Sequence, residues 1–486
     1  MTTMEAKIGY EAGLNEYVKQ EKSAVELITA VGRLMYNKGV ELVFYRNHLV
    51  DISSSELINL FDYAEKVLNK TIDIYNVAEV AKTLSNLDLA PSKLDVGKIT
   101  SEYLAAKENY SSISDFLNDI LNTFIGTEKH NFSPQDVVLY GFGRIGRLAA
   151  RELIKQAGKG QQLRLRAIVI RSVDESQIKK RASLLRNDSV HGAFKGSVIE
   201  DYENQALIIN GQIVKLIEAK NPEDIDYTSF GINDALIVDN TGVFKDREAL
   251  GRHLKSKGAS KVLLTAPGSG VPNIVYGINH KELDLENEKI YSAASCTTNA
   301  ISPVLKVIED HLGVKNGHIE TVHAYTNDQN LLDNMHKKPR RGRSAAINMV
   351  ITSTGAGKAV TKVIPSLAGK LTANAVRVPT PNGSLAIIKL TLKKQTSLEE
   401  LNNLMKKAAL EGELVNQIKY EISNELVSND IIGNVCASVF DSNATIVAED
   451  GLNCVLYSWY DNEYGYTKQV IRVAKYISKV RRLIYY

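Results

Sequence analysis

From Ser53 onward the apolar positions Leu57, Leu60, Phe61, Ala64, Val67 and Leu68 recur at helical spacing and fall on one face. Ser53 followed by Glu56 reads as a capping box that starts this helix. Ile74, Val77, Ala81 and Leu84 repeat the pattern in a second helix. Pro91 suits the first position of a third, running to about Lys107. Phe116 to Ile125 predicts a fourth, and about Leu14 to Met35 an earlier one. Residues 1–130 are therefore expected to be an all-helical N-terminal region, closed by a Gly/Asn/Ser/Pro-rich linker from Gly126 to Pro134.

The pattern changes at Asp136. Val137-Val138-Leu139-Tyr140 is a short buried strand, followed by a glycine turn and a helix. Leu165 to Ile170, Ala235 to Val238 and Lys261 to Leu264 are further β-rich apolar runs. Strands alternating with helices predict a parallel α/β sheet. The stretch from Glu320 to Leu392 is richer in strand signals, broken by a Gly/Pro-punctuated loop from Thr326 to Arg343. Arg377 to Pro379 and Ile387 to Leu392 suit an antiparallel sheet.

At 486 residues the chain has room for two or three domains. Its 44% hydrophobic and 24% charged residues are those of an ordinary globular protein. A net charge of +3 predicts neither nucleic-acid nor membrane binding. No apolar run approaches the roughly 18 residues needed to cross a bilayer. The start, Met1-Thr2-Thr3-Met4-Glu5-Ala6-Lys7, lacks a signal-peptide apolar core. The cysteines, Cys296, Cys436 and Cys454, are few and odd in number, which points to a reducing cytoplasm and no disulfide scaffold. No metal-ligand pattern is expected.

Chemistry enters at Ser295-Cys296-Thr297-Thr298-Asn299, just before a helical segment from Ile301 to Leu312. A thiol at a helix N-terminus feels the positive end of the dipole, which favours the thiolate. His323, in Thr321-Val322-His323-Ala324-Tyr325-Thr326, is its candidate base. Gly141-Phe142-Gly143-Arg144-Ile145-Gly146 follows a strand and opens a helix. Its glycines serve a tight turn, a close approach by pyrophosphate, and helix–strand packing.

Together with Ser458-Trp459-Tyr460-Asp461-Asn462-Glu463, these motifs make the chain resemble glyceraldehyde-3-phosphate dehydrogenase from about Asp136 onward. The resemblance implies a Rossmann cofactor domain over 136–295 plus 461–486, and an α+β catalytic domain with an antiparallel or mixed sheet over 296–460. It also implies a homotetramer, with the basic run Lys337 to Arg343 in a loop at subunit contacts. The implied reaction starts with the Cys296 thiolate adding to a phosphorylated aldehyde. His323 takes the hydroxyl proton, hydride leaves to the nicotinamide, and inorganic phosphate attacks the resulting thioester.

The same resemblance places Asn462 at the nicotinamide carboxamide and Tyr466 beside it, with Thr241-Gly242 and Thr265 lining the cofactor groove. Ser295, Thr297, Thr354 and Gly355 match the site for inorganic phosphate; Thr326 and Arg377 match that for the substrate's phosphate. Asp328 stands where some family members carry a further phosphate-binding threonine. NAD-using relatives commonly place Asn-Asp where this chain has Arg171-Ser172. A guanidinium there suits the extra 2′-phosphate of NADP. The alternatives are that Asp174 acts as the missing acid, or that Arg171 faces solvent. Erythrose 4-phosphate is the alternative substrate. The N-terminal region is expected either to pack at subunit contacts or to bind another protein.

Overall fold

A computed structural model describes residues 9–68, 70–126 and 132–486, with the side chains of 67 and 68 excepted. The residues Met1 to Lys7 and most of the expected linker lie outside the described residues.

The chain forms two compact units. The first comprises residues up to 133 together with 158–161 and 481–486. It is helical, with helices Tyr10–Arg33, Ser54–Leu68, Ile74–Asn86, Val96–Ala106 and Ile113–Ile120. The predicted capping box is present: the Ser53 amide donates to Glu56 Oε2 at 2.8 Å, and the Glu56 amide to Ser53 Oγ at 3.2 Å. Val77, Ala81 and Leu84 form the buried face of the second predicted helix, which Asp73 caps. Pro91 does not open a helix; it precedes a strand, Ser92–Asp95, and the helix begins at Val96 under an Asp95 cap.

The unit also holds a four-stranded sheet that helical periodicity does not signal. Its order is Asn47–His48, Glu41–Phe44, Ser92–Asp95, Leu483–Tyr485. The last strand pairs parallel to Ser92–Asp95. The expectation that residues 461–486 share one domain is thus corrected at 481–486, whose backbone groups find their partners in the first unit's sheet. Arg482 forms an ion pair with Glu41 at 3.2 Å. Burial would push the Glu41 carboxyl up, but Lys93, His48 and Arg482 hold it well below its ordinary range.

The second unit, 134–157 and 162–480, contains two large sheets. The first runs in the order Ile290–Ser292, Ala259–Leu264, Ala235–Asp239, Gln135–Tyr140, Leu163–Ile170, Gln212–Glu218, Ala206–Ile209, Val198–Asp201. The first six are parallel and the last two antiparallel. Val137, Val138 and Leu139 are buried on both faces, as a central parallel strand requires. The strand Gln135–Tyr140 lies where the strand order reverses, and the glycine turn leaves its C-terminal end. That is the ligand-binding position of a doubly wound sheet.

The second sheet is mixed. Val314–Ala324 runs parallel to Leu371–Val378 and antiparallel to Ser384–Leu392. Its register sets His323 directly beside Arg377. The helix Cys296–His311 packs against the strands Ser438–Asp441 and Asn453–Tyr460 of this sheet. Among the described residues no helix is long and apolar enough to cross a membrane. Among the same residues no group of three or more His, Cys, Asp or Glu side chains is placed to hold a metal ion.

Candidate active site

Cys296 is the first residue of its helix, and Ser295 caps it by accepting the Thr298 amide at 3.0 Å. Cys296 Sγ lies 3.6 Å from His323 Nε2. On the other side of the ring, Arg377 Nη1 stands 2.7 Å from His323 Nδ1 and donates to the Ala324 carbonyl at 2.8 Å. Neighbouring residues in register on adjacent strands project to the same face, so the Arg377–His323 contact follows from the pairing.

Burial opposes the expected stabilisation of the thiolate. Desolvation pushes the Cys296 thiol up, against the opposing pull of Arg377 and Thr297. Burial and then the Arg377 charge hold the His323 imidazole down to about 3.

Two side chains not singled out from sequence complete the surroundings. The Tyr460 hydroxyl bonds Thr297 Oγ1 at 3.0 Å and Thr321 Oγ1 at 2.7 Å. Its ring meets the His323 ring edge-on, with centroids 5.8 Å apart. Ser384 Oγ donates to Asn462 Oδ1 at 2.7 Å and accepts the Ala324 amide at 3.1 Å. Tyr460 adjoins Asp461-Asn462 in the quoted motif, which was the available signal. Ser384 has none, since only the strand pairing brings it here.

A cavity of about 760 Å³ joins the reactive pair to the glycine turn. Gly143, Arg144, Ile145, Thr241, Thr265, Asn462 and Tyr466 line it, with Ser295, Cys296, His323, Thr326 and Arg377. The glycine turn fits a dinucleotide. A Cβ on Gly146 would lie 2.5 Å from the Gly141 carbonyl oxygen, so helix and strand approach too closely for any other residue. A Cβ on Gly143 would meet nothing within 4 Å, leaving the helix N-terminus open to an anion. Phe142 is buried beneath the turn. Gly242 follows Thr241 with a φ of +67°, in a turn after the strand Ala235–Asp239.

The other sequence candidates sit at varying distances from that cavity. Arg171 and Ser172 are exposed after the strand Leu163–Ile170 and do not line it. Asp174 is already engaged as a helix cap, accepting the Gln177 amide at 2.8 Å. Thr354 and Gly355 stand at the N-terminus of the helix Ala356–Val363, with Gly355 as its N-cap, outside the cavity lining. Thr297 is buried and held by Tyr460. Asp328 pairs with Arg341 and, at 3.7 Å, with His336. It ties the loop together and presents no free donor to phosphate. Arg377 Nε is buried without a partner among the described residues, an unspent donor suited to an oxyanion.

Comparison with known proteins agrees with this geometry. The family profile for the glyceraldehyde 3-phosphate dehydrogenase NAD binding domain matches residues 135–247, and that for the C-terminal domain matches 295–462. The glyceraldehyde-3-phosphate dehydrogenase of Clostridium pasteurianum is 39% identical over 351 residues, covering 71% of this chain and 99% of the relative. That of Priestia megaterium is 40% identical over 339 residues, 70% of this chain and 96% of the relative. A glyceraldehyde-3-phosphate dehydrogenase-like protein of Pseudomonas aeruginosa is 48% identical over 451 residues, 92% of this chain and 97% of the relative. A match of that length takes in much of the N-terminal unit as well. With the dinucleotide turn, the cysteine–histidine pair and these matches in place, the chain belongs to the glyceraldehyde-3-phosphate dehydrogenase family of oxidoreductases.

Proposed function

We propose that this protein oxidises glyceraldehyde 3-phosphate with inorganic phosphate, reversibly, through a thioester on Cys296. The 3.6 Å approach of Cys296 Sγ to His323 Nε2, with Arg377 alongside, carries the reading. NAD or NADP, when bound, supplies the hydride acceptor. The open amides at the N-terminus of Arg144–Lys155 hold its pyrophosphate. Ser384 occupies Asn462 Oδ1 and so turns the Asn462 amide nitrogen towards a nicotinamide carboxamide. The Tyr466 hydroxyl bonds the Ala294 carbonyl at 2.8 Å and fixes its ring beside the reactive pair.

Cys296 Sγ adds to the aldehyde carbon, and the thiol proton ends on the new hydroxyl. His323 then takes that hydroxyl proton as the carbon reaches the acyl level. The Cys296 amide, at the helix start, stabilises the developing oxyanion. A phosphate oxygen attacks the thioester carbon, the S–C bond breaks, and acyl phosphate leaves with Cys296 restored. Thr326 and Arg377 hold the substrate's phosphate group; Ser295, Thr297, Thr354 and Gly355 serve the attacking one. The exposed Leu331, Leu332 and Met335 of the long loop, with Ile347 and Met349 just after it, suit a subunit contact in a homotetramer.

NADP is proposed as a cofactor alongside or ahead of NAD. Arg171 is exposed at the strand end, and Asp174, the rival acid, is committed to its cap. Steady-state oxidation of glyceraldehyde 3-phosphate, run with NAD and with NADP, tests both statements. Acyl phosphate should form only when inorganic phosphate is present. Arg171→Asp should lower kcat/KM for NADP relative to NAD by about tenfold to a hundredfold, the worth of one charge-assisted contact. Release of free acid would sink the phosphorylating reading, and a preference for NAD untouched by Arg171→Asp would sink the cofactor argument. Faster turnover of erythrose 4-phosphate would reassign the substrate.

A further inference from the structure

A buried histidine stands behind the wall of the cofactor cavity. Asp239 ends the strand Ala235–Asp239 and is fully buried; His253, on the turn Arg252–Lys255, is 1% exposed. His253 Nε2 lies 2.9 Å from Asp239 Oδ2. Asp239 Oδ1 accepts the Thr241 amide at 2.8 Å and the Thr241 hydroxyl at 2.7 Å. The Asp239 carbonyl accepts the amide and the hydroxyl of Thr265, both at 3.0 Å. Thr241 and Thr265 line the cavity, whereas His253 and Asp239 lie behind them. The His253 ring also meets the ring of Phe244 edge-on, with centroids 5.5 Å apart, and that of Tyr140 at 4.6 Å. His253 therefore supports the loop after this strand at two places, through Asp239 at its start and through Phe244 further along.

His253 Nδ1 is buried without a partner among the described residues. An unpaired buried nitrogen costs stability, so an apolar side chain would suit the packing here better. What the imidazole adds is the Nε2 donor. A carboxylate shut away from water needs its oxygens satisfied, and among the described residues His253 is the donor that reaches Oδ2. We propose that His253 is a positioning residue for the cofactor: by holding Asp239 in one orientation, it presents Thr241 and the loop behind it to the dinucleotide. The proposal rests on the cavity as the dinucleotide's seat. With Oδ2 paired, Oδ1 stays aimed at the Thr241 amide and hydroxyl, and that hydroxyl in turn accepts the Val243 amide at 3.1 Å. Gly242, between them, has a φ of +67°, a turn that its neighbours' side chains must hold in place. Without the His253 donor the carboxylate turns to another donor or draws in water, and the Thr241 turn loses its fixed acceptor. The cofactor must then order the loop as it binds, and its affinity falls. The reactive pair stands on other elements, the helix Cys296–His311 and the strand Val314–Ala324, so the chemical step at saturating cofactor keeps its rate.

Equilibrium titration of the full-length protein with NAD and with NADP tests this, beside steady-state kinetics and thermal unfolding. A glutamine amide nitrogen stands as many bonds from the backbone as imidazole Nε2, whereas that of asparagine is one methylene short of Oδ2. His253→Gln should bind cofactor within about threefold of the unmodified protein. His253→Asn and His253→Leu should bind it more weakly by on the order of tenfold, the worth of one hydrogen bond to a buried carboxylate. Turnover at saturating cofactor should stay within about twofold in all three. A packing role alone predicts otherwise: His253→Leu would bind as well as His253→Gln, and losses would appear only in the unfolding temperature. Should His253→Leu fail to fold, His253→Gln against His253→Asn carries the comparison. Equal affinity in His253→Gln and His253→Asn, unchanged affinity throughout, or a loss of turnover without a loss of affinity would each overturn the proposal. Failure of the unmodified protein to bind either dinucleotide would instead remove the reading on which it rests.

Discussion

Cys296→Ser should lose roughly 10⁴-fold or more in turnover, the order that follows removal of a covalent nucleophile. Cofactor affinity should stay within about twofold, because a substitution that spares the binding contacts leaves uniform binding intact. The change replaces one atom at the first position of the helix Cys296–His311, where Ser295 continues to cap the Thr298 amide. A hydroxyl keeps its proton where a thiol can surrender one to an imidazole, and an oxygen ester is a weaker acyl donor to phosphate. Burial already pushes the Cys296 thiol up, so the chemistry has no margin for a less acidic group. Rapid-mixing measurement of the first turnover, with a fluorescence titration of cofactor, separates the two effects. A variant retaining more than about one hundredth of wild-type turnover would be explained by the general acid–base and binding contributions alone, and would remove Cys296 as the nucleophile.

What was legible in the sequence was local. The glycine turn could be read because strand, turn and helix occupy one short stretch, with Gly146 packed against Gly141. The capping box at Ser53 and Glu56 is likewise complete within four residues. The N-terminal sheet was not legible, for two reasons. Its strand Glu41–Phe44 holds only three apolar residues after Glu41, buried throughout, too short a run for periodicity to tell from helix. Its edge strand, Leu483–Tyr485, comes from the far end of the chain. Pro91 misled because the same residue can precede a strand as readily as open a helix; the true start at Val96 is set by the Asp95 side chain.

The site divides in the same way. Cys296 and His323 could be paired through their motifs and the family resemblance. Arg377 as a neighbour of His323 Nδ1 depends on the parallel register of two strands, which no local pattern encodes. The charge state of the pair was also beyond the sequence. A helix N-terminus argues for a thiolate, while burial pushes the thiol up and Arg377 pulls it back down.

Lys468→Met should cost about 3–5 kcal/mol of stability, the usual penalty for leaving half of a buried ion pair. Lys468 Nζ lies 2.5 Å from Glu152 Oε1, and the two residues are 5% and 1% exposed. Glu152 stands on the helix Arg144–Lys155 that the glycine turn opens, and Lys468 on Tyr464–Ile477. Glu152 Oε2 also accepts the Tyr464 hydroxyl at 2.8 Å, so the carboxylate ties the two helices at two points. The second helix carries Tyr466, whose hydroxyl holds the Ala294 carbonyl just before Cys296. Loosening it should therefore raise KM for the cofactor before it lowers the yield of folded protein. Glu152→Leu combined with Lys468→Met removes both charges, and should recover all but the roughly 1–2 kcal/mol lost when the Tyr464 hydroxyl loses its acceptor. Thermal unfolding of the two variants beside the unmodified protein reads the difference. If Lys468→Met unfolds at the wild-type temperature, the pair contributes nothing. If the double variant is no better than the single, then the shape of the Lys468 stem, rather than its charge, is what holds the helices together.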